Sequence, residues 1–416
     1  MKSKLNIVRN ILFVSFFLLS IIILTVFLVF FKEPLLVSTQ EKRNLASFKQ
    51  LEDTAFLDGS FQKTLDNALA DQFLFRYEIV RIKSVIDMKM SQLFIPISNN
   101  EYKLASIAES VVKRVGSSNY LINGLMEYSE DYKNRFLNRV DQINKLAEDY
   151  PEIDIYVYKP TQVHETDIFD MANDTKSFGT FYRDILASYL KVPYAELQIR
   201  SLSDYKNNFY QSDHHWNYQG SYQGYVDIVK LIFNDDEELL QPTYLYTYDN
   251  ALTFSGTFSS RTGYILPGEP FYIYTFDLPK YKVYGDGKEM KIFDMNTFDD
   301  NLKDRDSDYF YAIAYKTYGT EVVYESEFED KDTLLLIGDS YSAAIEPLLM
   351  QHFSKIYYIQ PHDYYLKYNK RFSYDDFIAN HKVDKILFMY TVENYFYSDE
   401  YGDRGGLFDI YRTKGD

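Results

Sequence analysis

From Ile11 to Phe31 the chain runs 21 residues without a charge, relieved only by Ser15, Ser20 and Thr25. A helix rises ~1.5 Å per residue, so this stretch would span about 30 Å, the thickness of the hydrocarbon core of a bilayer. A soluble helix of that length needs a polar face, and this sequence offers none. A cleaved secretion signal has a shorter apolar run of roughly 7–15 residues ending in small residues, whereas Lys32-Glu33-Pro34 follows here. The stretch therefore predicts a retained signal anchor. Lys2, Lys4 and Arg9 precede it with no acid among the first ten residues. That places the N-terminal tail in the cytoplasm and residues 32 onward outside, held to the cell membrane by a single pass.

Beyond the anchor the chain is acidic. Lys and Arg total 44 against 61 Asp and Glu in 416 residues, a net charge of −17. Such a body is a poor partner for nucleic acid, whose phosphates need a basic surface, and it disfavours a strongly anionic polymer. Cysteine is absent, which excludes a disulfide framework, a thiolate metal site and a cysteine nucleophile. Tyrosine and phenylalanine number 41 and 32 against one Trp. Tyrosine-rich surfaces suit sugar contact, since the ring has an apolar face and a polar tip, although lineage bias accounts for such an excess as well.

Apolar residues at helical spacing from Phe61 to about Met90 predict one or two amphipathic helices, and residues 32–60 read as a stalk. Tyr128, Tyr132, Phe136, Val140, Ile143 and Leu146 form one stripe of a helix over Leu125–Tyr150, which Pro151 ends. A strand over 154–160 and helices near Phe181–Leu190 and Gly220–Phe233 follow. Short alternating Tyr-rich pieces at 270–275 and 280–284 predict β-hairpins. Towards the C-terminus, Thr333–Ile337, Lys355–Ile359 and Lys385–Met389 are continuous apolar runs alternating with helical segments, Ala343–Phe353 among them. That pattern indicates a parallel sheet covered on both faces. The chain thus divides into a tail and anchor (1–31), a stalk and helical lead-in (32–110) and an α/β domain (111–416), with a β-rich insertion at about 243–330.

In an open parallel sheet, ligands bind beyond the carboxyl ends of strands. Ser340 lies three residues past Ile337 at such an end, after Gly338-Asp339. It suits a nucleophile whose own N–H could meet an oxyanion at the start of a helix, and it equally suits a helix N-cap. A serine nucleophile needs a base and an orienting carboxylate. Of the six histidines, the densest constellation is Asp213-His214-His215-Trp216, in which Asp213 could reach the ring of His215 and Trp216 could wall a pocket or stack on a sugar. Adjacent histidines tend to point apart and no second His pair exists, so no metal site is expected. Asp304, Asp306 and Asp308 resemble the start of a calcium loop, but Tyr309 and Tyr315 stand where glycine and glutamate belong, so they read as a solvated loop.

These residues carry a resemblance. The chain resembles the DHHW family of envelope proteins, itself similar to the alginate O-acetylation proteins with an SGNH-hydrolase-like domain. The likeness rests on Glu41 to Ala46, on Asp71-Gln72-Phe73 with Arg76, and on Ser212 to Trp216 with Gly220 and Tyr222. It continues through Leu334 to Ser342 around Asp339-Ser340-Tyr341 and through Tyr390-Thr-Val392. Asp-His-His-Trp together with Gly-Asp-Ser about 125 residues later is the specific part.

The resemblance implies a flavodoxin-like αβα sandwich carrying a triad, with Ser340 as nucleophile, His215 as base and Asp213 as its carboxylate. His214 falls at a variable position. The usual oxyanion glycine and asparagine blocks are not evident, and Gly256 and Asn394 are the candidates by position. The expected activity is transfer of an acyl group, acetyl above all, to a cell-envelope or exported polysaccharide, with no cofactor. A membrane O-acyltransferase would supply the donor. The alternatives are a carbohydrate esterase with the same triad and a non-catalytic polysaccharide-binding or assembly protein.

Overall fold

The computed structural model describes residues 2–30, 33–38, 43–98, 100–107, 110–234, 236–247, 254–263, 269–292, 311, 314–315, 319–395 and 410–411. The calcium-loop-like aspartates at 304, 306 and 308 lie outside them. The chain forms two compact units, residues 1–89 with 260–264 and residues 90–259 with 265–416.

In the first unit, the apolar run lies in helix α1 (Lys2–Phe30). Among the described residues no helix is long and apolar enough to cross a membrane. Helices α2 (Ser60–Gln72) and α3 (Arg76–Ser98) follow, the latter running on past residue 89. The stretch 32–60 is not a featureless stalk. The side chain of Gln72 donates to Leu35 O (2.9 Å) and Ala46 O (2.8 Å) and accepts from Leu35 N (3.0 Å). Asp71 Oδ2 accepts from Ala46 N at 2.8 Å, and Arg76 lies 3.5 Å from the same carboxylate. Asp71 and Gln72 thus satisfy backbone groups of Leu35 and Ala46, which flank the short pairing of Val37–Ser38 with Arg43–Asn44, and Arg76 pairs with Asp71.

The second unit is built on an eight-stranded sheet. Its strands are β1 (Asp154–Lys159), β2 (Tyr194–Glu196), β3 (Tyr281–Gly285), β4 (Lys288–Met290), β5 (Glu321–Ser326), β6 (Thr333–Gly338), β7 (Lys355–Ile359) and β8 (Lys385–Met389). They lie in the order β4-β3-β5-β7-β6-β8-β1-β2. Neighbours from β7 through β2 pair parallel, while β4, β3 and β5 extend the other edge antiparallel. Every residue of β6 is buried. Leu334 and Leu336 join one core, and Leu335 and Ile337 the other, because successive side chains point to opposite faces. Helix α4 (Glu130–Asp149) covers the second core with Phe136, Val140, Ile143 and Leu146, the predicted stripe. Helix α6 (Tyr218–Phe233) covers the first with Tyr225, Ile228, Val229 and Ile232, and α5 (Gly179–Tyr189) lies between them in sequence.

Two expectations change. The stretch 243–330 is not simply an insertion: Tyr244–Thr247 pairs with Tyr272–Thr275 as a separate ribbon, but β3, β4 and β5 belong to the main sheet. The helix expected over Ala343–Phe353 is a 3₁₀ turn at Ser342–Ala344 followed by a four-residue helix, Glu346–Leu349. Pro347 explains the break. It lacks an N–H and its ring would clash with the carbonyl four residues back, so it fits only the first turn of a helix.

Candidate active site

Ser340 sits just past the C-terminal end of β6, the central parallel strand. Gly338 suits the crowded turn, where a Cβ would lie 3.0 Å from Ser342 Oγ and 3.2 Å from Met389 O. Asp339 fastens the turn to the end of β8: its carboxylate accepts from Tyr341 N (3.1 Å), Thr391 N (2.8 Å) and Asn394 Nδ2 (2.9 Å). Burial pushes the Asp339 carboxyl upward, and the Thr391 and Tyr341 N–H groups only partly oppose it. On the other side, Ser342 Oγ donates to Glu346 at 2.8 Å, and Tyr324 OH donates to the same carboxylate at 2.6 Å. The N–H of Ser340 has no protein acceptor among the described residues.

The second half of the site is the turn between the short helix Leu202–Asn208 and α6. Asn217 N donates to Asn208 O at 2.8 Å, and the Asn217 side chain caps α6 by accepting from Gln219 N and Gly220 N. Within this turn Asp213 Oδ1 accepts from His215 N (2.9 Å) and meets His215 Nδ1 at 2.6 Å. His215 Nε2 then stands 2.8 Å from Ser340 Oγ. An ionised carboxylate only accepts, so Nδ1 carries the ring proton and Nε2 turns its lone pair to the serine hydroxyl. Burial opposes ionisation of Asp213, but the neighbouring imidazoles of His214 and His215, the hydrogen bond from His215 and the N–H of Thr257 (2.7 Å) outweigh it. They hold the carboxyl well below the usual carboxylate range. The structure therefore brings Ser340, His215 and Asp213 into one hydrogen-bonded line, an arrangement able to activate the hydroxyl for attack on an acyl carbon.

Several residues outside the expected set build this geometry. Tyr311 lies flat on the His215 ring, centroids 3.8 Å apart and planes at 12°. Tyr341 OH donates to the carbonyl of His214, tying the serine's loop to the histidine's. Behind Asp213 sits Glu269, buried, which accepts from Gln211 N, Ser212 N and Ser212 Oγ. Burial raises its carboxyl to about 7 against the pull of the Ser212 hydroxyl and the Gln211 N–H, and the charge of Asp213 adds to the rise. Neither Tyr311 nor Glu269 carried a local signal in the sequence, since each acts at long range on a turn far from it in the chain.

The remaining expected site residues lie elsewhere in function than expected. Trp216 is fully buried, its Nε1 donating to Tyr311 OH at 3.2 Å. It walls the site from behind and has no face for a sugar. Gly256 N–H donates to Ser212 Oγ at 2.9 Å, and a Cβ there would lie 2.4 Å from Asp213 Cβ. Its role in the fold is close approach to the acid. Asn394 Nδ2 is turned to Asp339 and Thr391 Oγ1. The ligand atoms of Asp213, His214 and His215 lie within 4.8 Å of one another, close enough to share an ion. Both ring nitrogens of His215, however, already make the hydrogen bonds to Asp213 and Ser340. His352 is a core residue, bonded to Tyr225 OH at 2.8 Å and Glu237 at 3.2 Å.

The chain is thus a mixed α/β sheet with a Ser340–His215–Asp213 line beyond the carboxyl ends of its parallel strands. No protein-family model matches the chain, and no curated protein does. Solved structures do. A DHHW family protein from Eubacterium siraeum aligns at 15% identity over 71% of this chain and 93% of its own, with TM-score 0.51. Bacillus cereus PatB1 aligns at 17% identity over 71% of this chain and 98% of its own, with TM-score 0.52. A second PatB1 structure, which carries a sulfonyl adduct, aligns at 16% identity with the same TM-score. The O-acetyltransferase domain of Pseudomonas putida AlgJ is more distant, at 10% identity and TM-score 0.39. The resemblance read from Asp213–Trp216 and Gly338–Ser340 thus has its counterpart in the fold.

Proposed function

We propose that the protein is a serine O-acyltransferase that moves an acetyl group onto a cell-envelope or exported polysaccharide. The observation that carries this reading is the unbroken line Asp213–His215–Ser340, with contacts of 2.6 and 2.8 Å at the end of a central parallel strand. In the reaction, Ser340 Oγ attacks the carbonyl carbon of an acyl ester while His215 Nε2 takes its proton. The same proton passes to the departing alkoxide, leaving an acyl-serine. An acceptor hydroxyl then gives its proton to Nε2 and attacks the acyl carbon, and Ser340 Oγ leaves and recovers the proton. The Ser340 N–H would meet the oxyanion in both halves. Asp213 stays ionised throughout and stabilises the imidazolium.

The fold shared with PatB1, a protein solved with a sulfonyl adduct, supports covalent chemistry at such a site. In the proposal α1 anchors the chain in the cell membrane with residues 32 onward outside. Acetyl donor would then come from a membrane O-acyltransferase partner, since no soluble thioester pool exists there.

The test uses the full chain in detergent with 4-nitrophenyl acetate and intact-mass detection. An acetyl adduct in the wild type that is absent from Ser340→Ala and His215→Ala is the expected result. No wild-type adduct, under conditions where a serine esterase reacts, sinks the proposal. Acetylated oligosaccharide formed in competition with water separates transfer from ester hydrolysis.

A further inference from the structure

A cavity of 590 Å³ lies near the candidate triad, lined by residues that follow Ser340 and His215 in the chain and by none of the triad itself. Its floor is the turn that follows Ser340, with Ala343, Ala344, Pro347 and Leu348. One wall is a half-buried stripe of α6, where Tyr218 and Tyr222 stand one turn apart. The ribbon Tyr244–Thr247 with Tyr272–Thr275 adjoins that wall and sets Tyr274 edge-on to both α6 rings, at 4.8 and 5.8 Å. Tyr315 closes the inner end. It packs on Tyr311 at 4.8 Å, and Tyr311 lies on the ring of His215. Two ring layers therefore separate the cavity from the base. Among the described residues lining it, the one charged side chain is Asp277.

We propose that this cavity is the acceptor subsite and that it takes a segment of an uncharged saccharide. The inference rests on the acyltransfer reading above and narrows its substrate. A pyranose ring has apolar C–H faces and a rim of hydroxyls. Tyrosine offers the complement of both, and rings set edge-to-face hold their places at little entropic cost. The cavity volume falls within the range of about 300–1,000 Å³ usual for small-ligand sites. A uronate or phosphate-bearing polymer would bring anions to a wall that has a carboxylate and no cation, on a chain whose net charge is −17. Its charges would lose hydration with nothing to replace it. A long acyl chain would strip water from the tyrosine hydroxyls and return no hydrogen bonds.

Binding is measured by ligand-observed NMR on full-length Ser340→Ala in detergent, which keeps the cavity and removes turnover. The probes are cellopentaose, maltopentaose and chitopentaose, with pentagalacturonate as the anionic comparison and laurate as the acyl one. At least one uncharged pentasaccharide is expected to bind, with about tenfold weaker affinity in Tyr274→Ala and near-original affinity in Tyr274→Phe. Binding of none of them, preference for pentagalacturonate or laurate, or affinity unmoved by Tyr274→Ala overturns the proposal. A wild-type chain that forms no acetyl adduct but binds saccharide through Tyr274 overturns the acyltransfer reading and leaves the cavity assignment standing.

Discussion

Glu269 accepts the hydroxyl hydrogen of Ser212, the residue immediately before Asp213. A carboxylate outside the Ser–His–Asp line thus fixes the turn that carries two of its three members. It takes three donors from that turn, which suits the ionised form, and burial holds its titration near 7. Protonation would remove an acceptor from the cluster, so activity is expected to fall as pH drops through about 7. In Glu269→Gln that step should vanish from the pH–rate profile, with kcat lower by roughly tenfold and KM little changed. A purely structural Glu269 would lower the folded fraction and leave the shape of the profile intact.

Gly256 is the position where one methyl group tests the acid's placement. An alanine Cβ would stand 2.4 Å from Asp213 Cβ and 2.6 Å from Ser212 O. Backbone and acid cannot both stay in place, so Asp213 must shift against the Thr257 N–H that positions it. Gly256→Ala should slow acetyl-adduct formation by roughly 10–100-fold, with the near-ultraviolet circular dichroism of the folded chain retained. An unchanged rate would mean that the loop moves freely and the contact constrains nothing.

Asp213→Asn keeps the shape and removes the acceptor-only character. The amide can present its NH₂ to His215 Nδ1, which then becomes the acceptor and puts the ring proton on Nε2, facing Ser340. The serine would lose its base, at a cost on the order of 10⁴-fold in rate. Burst kinetics with 4-nitrophenyl acetate measure it, and a loss under about tenfold would show that the tautomer is set by something other than Asp213.

How much of this was legible in the sequence depends on the range of the interaction. Thr333–Ile337, Lys355–Ile359 and Lys385–Met389 read directly as strands because each is a short continuous apolar run; the first is buried throughout, while Lys355 and Tyr357 of the second and Lys385 of the third are half-buried. Asp213, His215 and Ser340 were readable because the motifs place recognisable chemistry at a strand end and in a turn. For Trp216 the sequence leaves two roles open, a pocket wall or a sugar platform, and its complete burial fits the first. Its burial depends on Gly224, eight residues on and within α6, where a Cβ would lie 2.4 Å from the ring. Asn394 was chosen by position alone, and only the fold reveals that Asp339 occupies its amide. Glu269 had no local pattern at all, since its partners are backbone and hydroxyl groups 57 and 58 residues earlier.

Glu346 gives a stability prediction with a defined sign. It is fully buried, accepts from Ser342 and Tyr324, and burial raises its carboxyl from 4.5 to about 7. Between those values the folded chain binds more proton than the unfolded one, so stability from this group is complete below about 4.5 and is lost as pH rises to about 7. Asp213 runs the other way, its folded carboxyl lying below the unfolded value, so its contribution is present above about 4 and fades only in acid. Glu346→Gln removes the first of these alone. The variant's Tm relative to wild type should therefore climb by a few degrees as pH is raised through that window, and stay level above it. Thermal unfolding followed by circular dichroism across the window measures the difference, and a constant offset would show that Glu346 does not change its protonation there.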